Sequence, residues 1–110
     1  MNFEEMFQGG KLQQMMEQAQ ALQKQIQEAQ ERAARRVVTG EAGGGLVKVT
    51  ATGAMTITAV KLDPVTLTDI DMLQDLITAA VNDALRRAKE TATQELGPLG
   101  DMAKSAGLSF

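Results

Sequence analysis

The sequence predicts an α+β protomer in the order α-β-β-β-α, and three features carry that expectation. A stretch without Gly or Pro, Lys11 to Arg36, repeats apolar residues at alternating spacings of three and four. Between Val37 and Leu62, β-branched runs alternate with glycine-marked turns. A second apolar stripe at helical spacing then follows Asp69 and ends at Gly97-Pro98.

The first helix is rich in Gln, Ala, Glu and Leu, all good helix formers. Its apolar seam is Leu12, Met15, Ala19, Leu22, Ile26, Ala29 and Ala33, the a/d pattern of a coiled coil. At about 1.5 Å per residue such a helix runs roughly 39 Å. The seam is narrow and its flanks are Gln and Glu. The helix therefore reads as an arm with one edge packed, and that edge demands a second helix.

Val37-Val38-Thr39 breaks the helical pattern and Gly43-Gly44-Gly45 marks a loop. The segment from Leu46 to Thr52 reads as a strand, as does Met55 to Leu62, giving a three-stranded antiparallel sheet. Gly53-Ala54 suits a two-residue turn between the last two strands. That turn would oppose Val47 to Val60, Val49 to Thr58 and Ala51 to Thr56. Leu46, Lys48, Thr50, Met55, Ile57 and Lys61 would form a mixed second face, either a subunit contact or a half-exposed surface.

Thr68 or Asp69 can cap the second helix, with Asp71 and Asp75 in its first turns. Leu73, Leu76, Ile77, Ala80, Val81, Ala84, Leu85 and Ala88 make a stripe wide enough to lie on a sheet. The whole chain, 1–110, is one domain, with residues 1–9 and 97–110 expected as flexible ends.

Composition narrows the function classes. There is no Cys and no His, which removes thiol chemistry, the commonest metal ligand and the commonest general base. Asp69, Asp71 and Asp75 read as helix-start carboxylates. Gly43-Gly44-Gly45 leads into a strand, whereas a phosphate-cradling loop opens a helix. No enzyme, metal or cofactor is expected. No apolar stretch approaches the roughly 20 residues that cross a bilayer, and the acidic Glu4 and Glu5 argue against a secretory signal. A cytoplasmic location follows as the expectation. Only three Phe, with no Trp or Tyr, leave the core to aliphatic side chains and Met. So thin a core favours oligomerisation.

Net charge is −3, which taken alone argues mildly against nucleic acid. The cations, however, are clustered. Arg32, Arg35 and Arg36 close the first helix, and Arg86, Arg87 and Lys89 lie on the second. Cations near a helix C-terminus complement its dipole, an account that suits Arg35 and Arg36 better than Arg86 and Arg87. The alternative is a pair of basic patches for phosphate, doubled by dimer symmetry.

Laid end to end, KLQQMMEQAQALQKQIQEAQ, VTGEAGGGLVKVTATG, VKLDP and DLITAAVNDALRRAKE resemble the YbaB/EbfC family of bacterial nucleoid-associated proteins. The resemblance spans about residues 9 to 96. It implies a tweezer-like homodimer that binds double-stranded DNA with little sequence specificity. It also implies a place in the nucleoid, a role in its organisation, in gene regulation or in recombination and repair, and further assembly or repair proteins as additional partners. The family touches DNA through its terminal helices. That points to Lys11, Lys24, Arg32, Arg35 and Arg36 on the first helix, and to Arg86, Arg87 and Lys89 on the last. The pattern departs in one respect: Gln13, Gln14, Gln18, Gln20, Gln23 and Gln25 stand on a helix where the family carries more Lys. Gln releases no counterions, so weak, salt-sensitive binding is expected. A protein-interaction adaptor without direct DNA binding stays open beside this reading. If tweezer arms are held apart, the seam (Leu12, Met15, Ala19, Leu22, Ile26) should meet the other helix, or its swapped copy, through Leu76, Val81 and Leu85.

Overall fold

The computed structural model describes residues 10–105. The outer parts of the expected flexible ends, 1–9 and 106–110, lie outside the described residues. Helix α1 spans Lys11–Arg35 and begins directly after Gly10. It ends where Arg36 turns extended, as the β-branched Val37-Val38 demands. Strands β1 (Val37–Ala42), β2 (Val47–Thr52) and β3 (Ile57–Leu62) form an antiparallel sheet in that order. A 3-10 turn, Pro64–Thr68, follows. The Asp63 carboxylate opens it by accepting the Val65 N–H at 3.0 Å.

Helix α2 spans Ile70–Ser105. Asp69 is its cap, accepting the Met72 N–H through Oδ1 at 3.1 Å. Gly97 breaks the helix as expected, with φ 47° and ψ −130°. The chain then resumes helical geometry through Pro98 to Ser105, so this part of the expected flexible tail is a helix. Pro98 suits such a restart, since the first helical position needs no N–H donor.

The β2–β3 turn differs from the expected two-residue form. Met55 donates to the Thr52 carbonyl at 2.9 Å and Thr52 donates to the Thr56 carbonyl at 3.0 Å, closing a loop of Gly53, Ala54 and Met55. Met55 takes the left-handed conformation (φ 61°) that such loops require after a tight turn. The longer loop shifts the register. Val47 faces Leu62, Val49 faces Val60, and Ala51 faces Ile57 across a bulge. Ile57 therefore belongs to the core face, and not to the mixed face on which the shorter turn would have put it.

Helix α2 lies over β1 and β2. Ala80, Ala84 and Ala88 are completely buried there beside Val47, Val49 and Ala51. The packing is close because Gly40 of β1 has no side chain. A Cβ at Gly40 would lie 2.2 Å from the Ala84 nitrogen and 2.7 Å from the Ala80 oxygen. Burying Val47, Val49 and Leu73 contributes about 1.5–3 kcal/mol each; the alanines contribute less.

Two consequences follow for the rest of the molecule. First, α2 does not extend over β3, whose six residues are all exposed. Second, α2 runs past the sheet and meets α1 there, giving a molecule 76 Å long and 19 by 15 Å across. The α1 seam is buried only near the sheet, at Ile26, Ala29 and Ala33. Leu12 and Leu22 are half-buried, while Met15 and Ala19 are exposed. The seam's partner is the far end of α2, from Glu95, beside Arg32 and Arg36, to Met102, beside Met15 and Leu22. Leu76 and Val81 instead pack on the sheet core. Leu85 is half-buried on the same central part of α2. The expected helix is thus the partner, but through residues further along it.

Gly40→Ala tests the close approach. It should destabilise the fold by about 3 kcal/mol, the upper range for an overpacked core, read by urea or thermal unfolding. An unchanged unfolding midpoint would mean that α2 stands further off the sheet.

Candidate nucleic-acid interface

The clustered cations are brought together only in part. Arg36, the first residue after α1, and Arg87, on α2, flank one shallow groove between β1 and α2. Its two adjoining hollows share Val38, Thr91 and Gln94. Arg36 lines one hollow; Arg87, with Thr39, lines the other. The groove exists because β1 is an edge strand and α2 crosses it on small residues. Arg86 lies on another flank of α2, beside Lys89, Glu90, Thr93 and Gln94. Arg35 is exposed at the end of α1. Lys24 and Lys11 lie progressively further out on the arm, also exposed. The eight cations do not form one surface. The Arg36–Arg87 groove is where the two clusters meet.

Carboxylates that clustering of the cations does not reveal hold four of these arginines. Glu95 accepts from Arg36 Nε at 2.6 Å through Oε1, and Arg32 Nε lies 3.6 Å from Oε2. Asp83 accepts from Arg87 Nε at 3.1 Å and from an Arg86 terminal nitrogen. The other Arg86 terminal nitrogen donates to Glu90 at 3.1 Å. Asp83 also accepts the Glu41 backbone N–H at 3.0 Å, tying α2 to an edge-strand donor that no further strand would satisfy. Asp83 was legible in part, being three and four residues before Arg86 and Arg87 on one helix face. Glu95 was not, since 59 residues separate it from Arg36.

In each cluster one acid, Asp83 or Glu95, lies beneath the bases, while Glu90 is nearly as exposed as Arg86, at 58%. The Asp83 side chain is 17% exposed against 61% and 49% for Arg86 and Arg87, and Glu95 is 15% exposed against 65% for Arg36. The Glu41 N–H, and then the two guanidiniums, hold the Asp83 carboxyl below its ordinary 3.8, against an opposing contribution from burial. Asp83 in turn raises Arg86 above the usual guanidinium value, with help from Glu90. These arginines are permanently charged. Their exposed ends can donate to phosphate oxygens, the contact guanidinium geometry suits best.

Among the described residues, no group of three or more acidic side chains could hold a metal ion, and no helix is long and apolar enough to cross a membrane. The family model of the YbaB/EbfC DNA-binding family matches residues 8–103. A nucleoid-associated protein of Pelotomaculum thermopropionicum is 42% identical over 102 residues, covering 91% of this chain and 97% of that one. One from Xanthomonas campestris pv. campestris is 46% identical over 88 residues, covering 80% and 83%. Among solved structures, an uncharacterised protein from Helicobacter pylori shares the fold at a TM-score of 0.59 and 22% identity. It covers 69% of this chain and 90% of its own.

The lowered carboxyl makes stability depend on pH in a defined direction. A group depressed in the folded state stabilises fully above its unfolded value and loses that contribution as pH falls through the folded one. The stability gap between wild type and Asp83→Asn should therefore be complete at neutral pH and close as pH drops below 3.8. Thermal melts across the acid range measure it. A gap that stays constant into strong acid would mean the carboxyl is not depressed.

Proposed function

The chain belongs to the YbaB/EbfC DNA-binding family, and on that premise we propose that it binds double-stranded DNA as a homodimer in the bacterial nucleoid. The observation that carries the reading is the meeting of Arg36 and Arg87 on one groove beside β1. Guanidiniums on phosphate oxygens fix position without reading sequence. Little sequence preference follows, together with a role in nucleoid organisation, gene regulation or recombination and repair. The exposed Gln side chains of α1 add hydrogen bonds but no counterion release.

Dimerisation is supported by the uncovered third strand. Leu62 and Val60 share the face of buried Val47 and Val49, yet they are 36% and 47% exposed. Ile57, at 37%, continues this strip. It is an extension of the core for which this protomer supplies no cover, and a second copy would cover it while doubling the arginine groove. Val65, Leu67 and Ile70, exposed on the connection that follows, enlarge the apolar area. A cytoplasmic location goes with this reading.

A protein-interaction adaptor is the second reading, favoured by the carboxylates already seated on four of the arginines. Arg36→Ala with Arg87→Ala separates the two. DNA affinity should fall, and the slope of log affinity against log salt should flatten by about 0.9 for each phosphate no longer neutralised. Unchanged affinity in this variant would sink the phosphate reading. No binding by wild type at about 50 mM salt would favour the adaptor.

The dimer has its own test. Val60→Glu lies on a strand exposed in the protomer, so the fold should survive while self-association weakens at least about tenfold, a charge buried without a partner being costly. Light scattering across a dilution series reads this. A dimer as tight as wild type would place the interface elsewhere.

A further inference from the structure

We propose that Asp83 and Glu95 are positioning residues for phosphate contact, holding Arg87 and Arg36 by their inner Nε atoms so that the terminal nitrogens of each face the groove. The inference rests on the phosphate reading above and assigns work to two acids that a simple charge argument would count as harmful. Two carboxylates close to a nucleic-acid backbone repel it. Their depth decides otherwise. Each lies beneath the guanidinium it binds, at 17% and 15% exposure, while Arg87 and Arg36 are 49% and 65% exposed. Glu90, 58% exposed in the Arg87 hollow, is paired to Arg86, so of the carboxylates on the groove Asp83 and Glu95 are the ones that lie behind their arginines.

The atoms used point the same way. Arg36 donates to Glu95 through Nε at 2.6 Å, and Arg87 donates to Asp83 through Nε at 3.1 Å. In each pair the hydrogen bond to the carboxylate is made by Nε and not by the terminal nitrogens, the bidentate end of the fork. Arg86 is different. Both of its terminal nitrogens are engaged, by Asp83 and Glu90, so it braces Asp83 from the other side. Asp83 is itself anchored to the main chain through the Glu41 N–H at 3.0 Å. That anchor sets Arg87 relative to β1, and thus relative to Thr39 in the same hollow. Glu95 does the same for Arg36 across the α1–α2 contact, with Arg32 as its second ion-pair partner. The arginines keep their charge without the carboxylates. What they lose is a fixed direction, and re-ordering a long side chain on binding costs affinity.

The experiment measures DNA affinity and its salt slope for Asp83→Asn and Glu95→Gln. Both variants remove a negative charge and keep an amide oxygen as acceptor. Removing charge alone strengthens binding to a polyanion. Positioning predicts the opposite: affinity at low salt falls roughly three- to tenfold, the equivalent of one rotamer-rich side chain to be re-ordered. In an Arg86→Ala/Arg87→Ala background, Asp83→Asn should have no further effect, because the residues it acts through are gone. Binding as tight as wild type, or tighter, in both single variants overturns the proposal. So does an equal loss with and without the arginines, which marks a merely structural role. Melting temperatures are recorded alongside, and Glu95→Gln decides the matter if Asp83→Asn does not fold. Failure of the underlying reading looks different: Arg36→Ala/Arg87→Ala would then bind as well as wild type.

Discussion

Helix α2 lies so near β1 that there is no space for a methyl group at Gly40, and most of the molecule's other features depend on that approach. A helix seated on β1 and β2 by Ala80, Ala84 and Ala88 leaves β3 without cover. It brings Asp83 within reach of the Glu41 N–H at the sheet edge. It also sets Arg87 beside β1, on the same groove as Arg36. The direction in which α2 leaves the sheet then supplies the second helix that α1 needs. A larger residue at Gly40 would disturb packing, groove and arm together.

The arm is fastened at its root by similar economy of side-chain volume. A Cβ on Gly53 would fall 1.9 Å from the Ala33 carbonyl oxygen, so the last turn of α1 sits directly on the β2–β3 loop. The Gly53 N–H donates to the Arg36 carbonyl at 3.0 Å across the same junction. Beyond this root the seam is covered less: Leu22 and Leu12 are half-buried, and Met15 is 56% exposed. Burial along α1 therefore grades from core-like to solvated over a single helix. Local stability should grade with it, since few buried neighbours hold the outer turns.

The acidic net charge and the DNA-binding family are compatible once charge is read by depth rather than by sum. The long-range interaction with a polyanion is set by net charge, and at −3 it is mildly repulsive. Contact is set by which groups stand outermost, and on this groove Arg36 and Arg87 stand outside Glu95 and Asp83, with Glu90 exposed beside them and paired to Arg86. Such a surface gains from short-range hydrogen bonds more than from steering. The symmetry of a dimer would double it without changing the charge ratio.

The sequence alone determined the element order, both long helices and the break at Gly97, because these depend on propensity and local hydrogen bonding; it left the cap between Thr68 and Asp69, and the structure uses Asp69. The resemblance of its motifs carried the family. The β2–β3 register was beyond local reading: Met55 accepts a left-handed backbone that sequence preference would assign to Gly, and that one residue lengthens the loop and turns Ile57 to the core face. The seam's true partner was equally hidden. The stripe through Leu76 and Val81 was the stronger apolar signal, but a sheet competed for it, and only the far end of α2 was left for the arm. At the groove, the arginines were visible as clusters, and Asp83 could be inferred from helix spacing. Glu95 meets Arg36 only because an antiparallel helix pair brings together residues 59 apart. Sequence thus determined which groups carry charge and which segments form helices; tertiary structure decided which charges face outward, since depth is a property of packing and not of order along the chain.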